Sequence, residues 1–313
     1  MDTIWTISII LLVVVFVILI ISFFVYLKAF KVTKKQKEQK YTLPLGENHK
    51  KYLNEMKNLI CELENIEYEE VSIRSHDGLK LFGRYYHIKD GAPLQIQIHG
   101  YRGNPVRDFC GGNKLARESR HNTLVIEQRA HGKSEGSVIT FGIKERLDCL
   151  SWIKYACDRF GDNQKIILAG VSMGAATVLM ASELNLPKNV VGIIADSPYN
   201  SVFSIITKVG RDMKVPTFIS TLFILIASSL YAHFNIFKAS PEKAVKNTKI
   251  PILLIHGKSD DFVPYQMSEK IYSFNSTLIE KHLFNGAAHG ISYMVDKDKY
   301  EKITSKFIEK IIK

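Results

Sequence analysis

The chain has 313 residues, 46% hydrophobic and 23% charged, with a net charge of +11. That balance excludes a disordered chain, and the length allows one large domain with an appendage. The basic excess is local: KAFKVTKKQKEQK (28–40) holds six Lys against one Glu, so it supplies five of the eleven charges. A juxtamembrane signal explains such a cluster better than a nucleic-acid surface, and no RNA- or DNA-binding motif appears.

Residues 4–27, IWTISIILLVVVFVILIISFFVYL, carry no charge. As a helix they span about 36 Å, enough for a hydrocarbon core of about 30 Å. Trp5 and Tyr26 stand near the two ends, where amphipathic rings favour the interface. A cleaved signal peptide fits poorly. The opening MDT has no Lys or Arg, the apolar run is too long, and no A-x-A site follows. Residues 1–30 are therefore expected to form a single-pass anchor in the cell membrane. The lysines that follow it place the N-terminus outside and residues 28–313 in the cytoplasm. Residues 31–67 are polar and rich in Lys and Glu, with an amphipathic helix expected over 47–64; they read as a basic stalk lifting a domain of residues 68–313 off the bilayer.

From residue 69 the pattern changes. EEVSIRS and LKLFGRYYHI alternate apolar and polar residues around His76-Asp77-Gly78, the mark of an antiparallel hairpin. Strands are expected at LQIQIH (94–99), NTLVIEQ (122–128), KIILAG (165–170), VVGIIAD (190–196), IPILLIHG (250–257) and TLIEKHLF (277–284). Helices are expected at 144–160, 173–185, 266–274 and 296–312. Alternating strands and helices imply an α/β fold, with a mostly parallel sheet covered on both faces.

Residues 199–247 interrupt this alternation. VPTFISTLFILIASSLYAHFNIF (215–237) has the look of a second span. Crossing the membrane there would pull apart two strands of one sheet. A helical cap over the active site, apolar toward substrate, is the better expectation, with a plain packing helix as its alternative.

Four cysteines, Cys61, Cys110, Cys149 and Cys157, form no C-x-x-C pair, and no His cluster has zinc spacing. Free thiols are expected, with no metal and no cofactor. The chemistry centres on Gly170-Val171-Ser172-Met173-Gly174, between an expected strand and an expected helix. Such a turn exposes the serine, and the helix that follows aims its first N–H groups at developing negative charge. A serine hydroxyl needs a base, and the base needs an orienting acid. His289 follows the last strand and is the candidate base. Three acids compete for it: Asp196 at the end of VVGIIAD, and Asp260 and Asp261 in HGKSDDFVP.

The segments HGYRGN, EQRAHGKSEG, GVSMGAATV, ADSPY and HGKSDDFVP…AAHG resemble the α/β-hydrolase superfamily, and most nearly its bacterial serine-aminopeptidase-like and esterase-like branch. The resemblance covers about residues 69–312. It implies the chain order Ser172, Asp260, His289, because the motif H-G-x-x-D-x-x-V-P places the acid at its fifth position. It also implies an oxyanion hole from the Tyr101 and Met173 amides. The loop usually written D-x-R-G-H-G is EQRAHG here, with Glu127 for Asp and Ala130 for Gly, so its conformation is less securely implied. The expected function is hydrolysis of a carboxylic ester through an acyl-enzyme; the apolar cap and the membrane tether suggest a small-molecule acyl or aromatic ester, lipid-derived ones included. A serine peptidase or acyl-thioesterase is the alternative within enzymes. A non-catalytic, membrane-tethered binding protein is the alternative from another class.

Overall fold

Period-two alternation in EEVSIR and KLFGRYY becomes an antiparallel hairpin, β1 (Glu69–Arg74) and β2 (Lys80–Tyr86), turned at Gly78 with a φ of +88°. Six parallel strands follow: β3 (Leu94–Ile98), β4 (Asn122–Glu127), β5 (Ile166–Val171), β6 (Val190–Asp196), β7 (Ile252–Gly257) and β8 (Ile279–Phe284). They complete one eight-stranded sheet in the order β1-β2-β4-β3-β5-β6-β7-β8, with β2 antiparallel to β4 and every later pairing parallel. The computed structural model describes residues 2–38, 43 and 46–313. Met1 and residues 39–42 and 44–45, the latter six within the segment read as a stalk, lie outside the described residues.

Strands β5 and β6 are apolar at nearly every position because both faces of the sheet are covered, while β3 carries two buried glutamines, Gln95 and Gln97. In β5, Ile166 and Leu168 face one layer while Ile167 and Ala169 face the other. The first layer holds α6 (Glu145–Phe160), α7 (Met173–Ala181), α10 (Pro241–Asn247) and α11 (Gln266–Phe274). The second holds α4 (Leu53–Glu64), α5 (Pro105–Glu118), α12 (Ser292–Val295) and α13 (Lys297–Ile312). Helix α5 was not among the expected elements. Asn104 caps it, its side chain accepting from the Val106 and Arg107 amides, and Pro105 opens the first turn.

The N-terminal helix α1 (Asp2–Ala29) is long and apolar enough to cross a membrane, the sole helix among the described residues that is. The segment after it is not a free stalk. Phe30 is buried and Val32 nearly so, and the Val32 amide donates to the Ser137 carbonyl at 2.8 Å. After α2 (Lys34–Glu38) and the short α3 (Glu47–Lys50), α4 buries Met56, Leu59, Ile60 and Leu63 against Phe109, Cys110 and Leu115. The physical reason is the stripe itself: apolar residues three and four apart on one helix face need a partner, and α5 supplies it.

The expected cap also differs. It contains α8 (Val202–Asp212) and α9 (Thr217–Ile226), the latter running on into a π turn, Ala227–Tyr231. Thr217–Tyr231 measures about 22 Å, short of a bilayer core. Its inner residues do not face a substrate cavity. Val202, Ile205, Ile206, Ala227 and Phe234 pack instead with Phe30, Phe141 and Met173, beside the end of α1.

Candidate active site

Ser172 sits between β5 and α7 with φ 56° and ψ −117°, a conformation costing about 1–3 kcal/mol for a residue with a Cβ. Two glycines allow the strand and helix to cross there. A Cβ on Gly174 would lie 1.8 Å from the Ile98 carbonyl oxygen, and one on Gly170 would lie 2.3 Å from the Gly174 oxygen. The Asp196 carbonyl accepts the Ser172 amide at 2.8 Å, tying the turn to the neighbouring strand.

The serine Oγ stands 2.9 Å from His289 Nε2, and His289 Nδ1 stands 2.6 Å from Asp260 Oδ2. Asp260 is buried and takes four hydrogen-bonding neighbours. Its Oδ1 accepts the Phe262 and Val263 amides at 3.1 and 2.8 Å, and His256 Nε2 lies 3.2 Å from its Oδ2. Burial alone would raise the carboxyl pKa, but the hydrogen bonds from His256 and His289 outweigh it and hold the group below the usual carboxylate range. An ionised Asp260 makes His289 Nδ1 the protonated nitrogen, which leaves Nε2 free to accept from the serine.

Of the other two acids, Asp261 is exposed and uses its backbone carbonyl to accept from Lys208 Nζ. Asp196 is buried, and its carboxylate accepts from Ser197 Oγ at 2.9 Å and the Tyr300 hydroxyl at 3.3 Å. Its pKa is raised, chiefly by burial. Neither carboxylate is hydrogen-bonded to the His289 ring.

The loop after β3 carries the other expected group. The Gly100 carbonyl accepts the Gly103 amide at 3.0 Å, which places Tyr101 and Arg102 at the centre of a tight turn, Arg102 with φ 47°. Asp108, from α5, accepts the Gly100 amide at 2.8 Å and so fixes the turn from inside. His99 is fully buried, and burial holds its pKa down to about 3. Its Nδ1 donates to the Gly100 carbonyl at 2.8 Å while its Nε2 accepts the Gln128 amide at 3.1 Å, so it braces two loops in neutral form. Met173 opens α7, so its amide has no partner within the helix. The side chain of Tyr101 turns away from the serine. Its ring stacks on Phe141 with centroids 5.0 Å apart, and its hydroxyl donates to the Ala29 carbonyl at 2.8 Å. Arg102 reaches the Lys28 and Lys31 carbonyls at 2.7 and 3.2 Å. The end of α1 thus holds both central residues of the turn.

A cavity of about 390 Å³ opens over Ser172 and His289, walled by Met56, Phe109, Tyr293 and Met294. No residue of 199–247 lines it. The wall comes instead from α4, α5 and α12, and His49 Nε2 donates to the His289 carbonyl at 3.1 Å. His49 and Met56 fall in the segment expected to be a stalk, and Phe109 lies on α5, which no expected element covers. The amphipathic stripe and the Asn104-Pro105 pair were the signals available for them.

A sequence profile described as the alpha/beta hydrolase fold matches residues 96–232, and one described as phospholipase/carboxylesterase matches residues 220–312. The chain belongs to the α/β-hydrolase superfamily. Among relatives of this α/β hydrolase, YqkD of Bacillus subtilis (strain 168) is 23% identical over 193 residues, which cover 60% of this chain and 62% of that protein. YfhR of Escherichia coli (strain K12) is 28% identical over 211 residues, 66% of this chain and 67% of that one. The Pyrococcus furiosus esterase PF2001 superposes with a TM-score of 0.65 at 23% identity, over 82% of this chain and 94% of that one, and shares the fold.

Proposed function

We propose that this chain is a membrane-anchored serine hydrolase that cleaves a carboxylic ester through an acyl-enzyme. The observation that carries the reading is the hydrogen-bonded run from Ser172 Oγ through the His289 ring to a buried, ionised Asp260. In the first half-reaction Ser172 Oγ attacks the ester carbonyl carbon and His289 Nε2 takes its proton. The Tyr101 and Met173 amides hold the negative oxygen of the tetrahedral intermediate. The alcohol leaves with the proton from His289, and the serine stays acylated. In the second half, water gives a proton to His289 Nε2 as it attacks the acyl carbon; the intermediate then expels Ser172 Oγ, which takes that proton back from His289, and the acid leaves. Asp260 keeps the imidazole in one tautomer throughout. Every step uses groups of this chain.

The apolar walls, Met56, Phe109, Ile291 and Met294, suit an acyl or aromatic group of modest length. A fluorophosphonate probe tests the class, since it labels an activated serine. The full chain in detergent is expected to label at Ser172. Ser172→Ala should lose labelling and lower turnover by at least about 10³-fold. Unchanged labelling or hydrolysis in that variant overturns the reading. The lysines after α1 support a cytoplasmic hydrolase unit. Protease added to intact cells should then spare residues 28–313, and their digestion would reverse the orientation.

A further inference from the structure

The insertion that leaves the cavity uncovered presents an apolar surface elsewhere. No residue of α9 is buried. Phe218 is 76% exposed, Leu222 44% and Leu230 51%. From Val215 to Ala232 the chain carries no charged residue, while Arg211, Asp212 and Lys214 stand just before it. An exposed, uncharged helix of this kind is a poor surface to leave in water.

Its neighbour says what covers it. Helix α9 and the π turn pack against α1, at Leu19, Phe23 and Tyr26 among other positions. The Tyr231 ring lies 5.3 Å from that of Phe23 and 6.0 Å from that of Tyr26, and its hydroxyl donates to the Leu19 carbonyl at 3.1 Å. Ser22, facing the same junction, is fully buried. The depth of this junction follows from the length of α1. Its charge-free part, Thr3–Leu27, measures about 37 Å, roughly 7 Å more than a hydrocarbon core. With all the surplus on the Lys28 side, an upright helix places Leu19 about 6 Å inside the core; with all of it on the other side, about 13 Å. The partner of Leu19 must then lie at that depth too. In hydrocarbon a tyrosine hydroxyl needs a protein acceptor, and the Leu19 carbonyl provides one.

We propose that α9 and the π turn form a second membrane element, which enters one leaflet beside α1 without crossing it. The occupant of the exposed face of α9 is the acyl region of the bilayer. Phe218, Leu222 and Leu230 contact lipid, and the charged residues before Val215 stay at the headgroups. This inference rests on the reading of α1 as a membrane span. It makes the hydrolase unit a body seated on the bilayer at two adjoining points, so its orientation to the membrane is fixed.

The two tryptophans of the chain make the test direct, because Trp5 lies exposed on α1 and Trp152 is fully buried in the core. Three full-length proteins are compared in phosphatidylcholine vesicles with and without bromine on the acyl chains. The native chain reports α1, Trp5→Phe gives the Trp152 background, and Trp5→Phe/Phe218→Trp reports α9. The background-corrected fluorescence from position 218 is expected to fall about twofold with bromines, more for those near the carbonyls than for those at mid-bilayer, as for a helix buried about 5–10 Å. If bromolipid quenches native Trp5 while position 218 responds only to aqueous iodide, α9 lies in water; the inference then fails although the anchor stands. If position 218 responds to neither quencher, a protein surface such as a second copy covers it, and the inference fails again. If Trp5 itself escapes bromolipid, the anchor reading fails and takes this inference with it.

Discussion

Replacing Asp260 by Asn changes one atom of the carboxylate and tests the whole relay. Its Oδ1 accepts two backbone amides, Phe262 and Val263, so the oxygen of an asparagine has to stay on that side. The new NH₂ group must then face His289 Nδ1 and His256 Nε2, where Oδ2 now stands at 2.6 and 3.2 Å. His289 can meet a donor only by moving its proton to Nε2, the nitrogen 2.9 Å from Ser172 Oγ. In that tautomer it cannot accept the serine proton. A wrong tautomer of this kind costs up to about 10⁴-fold in turnover, or about 5.5 kcal/mol of barrier. The charge-assisted hydrogen bond from His289 Nδ1 is also lost, while His256 Nε2 keeps the Val263 carbonyl, so stability should fall by roughly 1.5–3 kcal/mol. The assay is kcat for a short-chain p-nitrophenyl ester, with urea midpoints measured in parallel. Asp261→Asn and Asp196→Asn serve as comparisons, and the former should stay within about twofold of the native rate because exposed substitutions away from a site change little. A folded Asp260→Asn protein with kcat within tenfold of native, or a larger loss in either comparison protein, refutes the assignment of the acid.

Three further outcomes follow from the geometry. Burial holds His99 neutral with a pKa of about 3, while the unfolded chain binds the proton near 6.5. Its stability contribution is therefore complete above 6.5 and is lost as pH falls toward 3, costing about 2 kcal/mol between pH 7 and 5; an NMR titration placing His99 near 6.5 in the folded chain contradicts this. Gly174→Ala pushes a Cβ to 1.8 Å from the Ile98 oxygen, so α7 must move off β3; a loss of about 3 kcal/mol in urea and loss of fluorophosphonate labelling are expected, and native-like values for both show that the crossing tolerates a methyl. Tyr101→Phe keeps the stack on Phe141 but removes the hydrogen bond to Ala29, worth about 1 kcal/mol; kcat should fall up to about fivefold with KM unchanged, and an unchanged kcat separates the loop from the anchor.

The sheet and the Ser172–His289–Asp260 constellation were legible because each is written locally. An apolar run bounded by turn residues marks a buried strand, and a serine between two glycines at a strand end marks a strained turn. The choice of Asp260 over Asp261 rests on the resemblance, through the motif H-G-x-x-D-x-x-V-P, and it is Asp260 whose carboxylate lies 2.6 Å from His289 Nδ1. What the sequence concealed was which surfaces meet. The stripe Met56, Leu59, Ile60, Leu63 announces a helix that must dock but not where, and α5 is weakly marked as a helix because Gly111 and Gly112 lower its propensity. The apolar insertion was expected over the cavity on the strength of its position in the chain. Its inner face was matched instead to Phe30 and Phe141, a long-range pairing that no local pattern encodes.

The grip of α1 on the turn that carries Tyr101 and Arg102 has a practical side. A soluble fragment beginning after residue 31 is the obvious preparation for crystallisation or inhibitor screening. It would lack the three carbonyls, from Lys28, Ala29 and Lys31, that those two side chains now hold. On the mechanism proposed above, the fragment would keep its sheet and its reactive serine and still be a poorer catalyst, because the Tyr101 amide proposed for the oxyanion would hang on an untethered loop. Rate constants and inhibitor rankings from such a fragment would describe a different machine, and a nanodisc holding the intact chain is the preparation in which the turn keeps its tether.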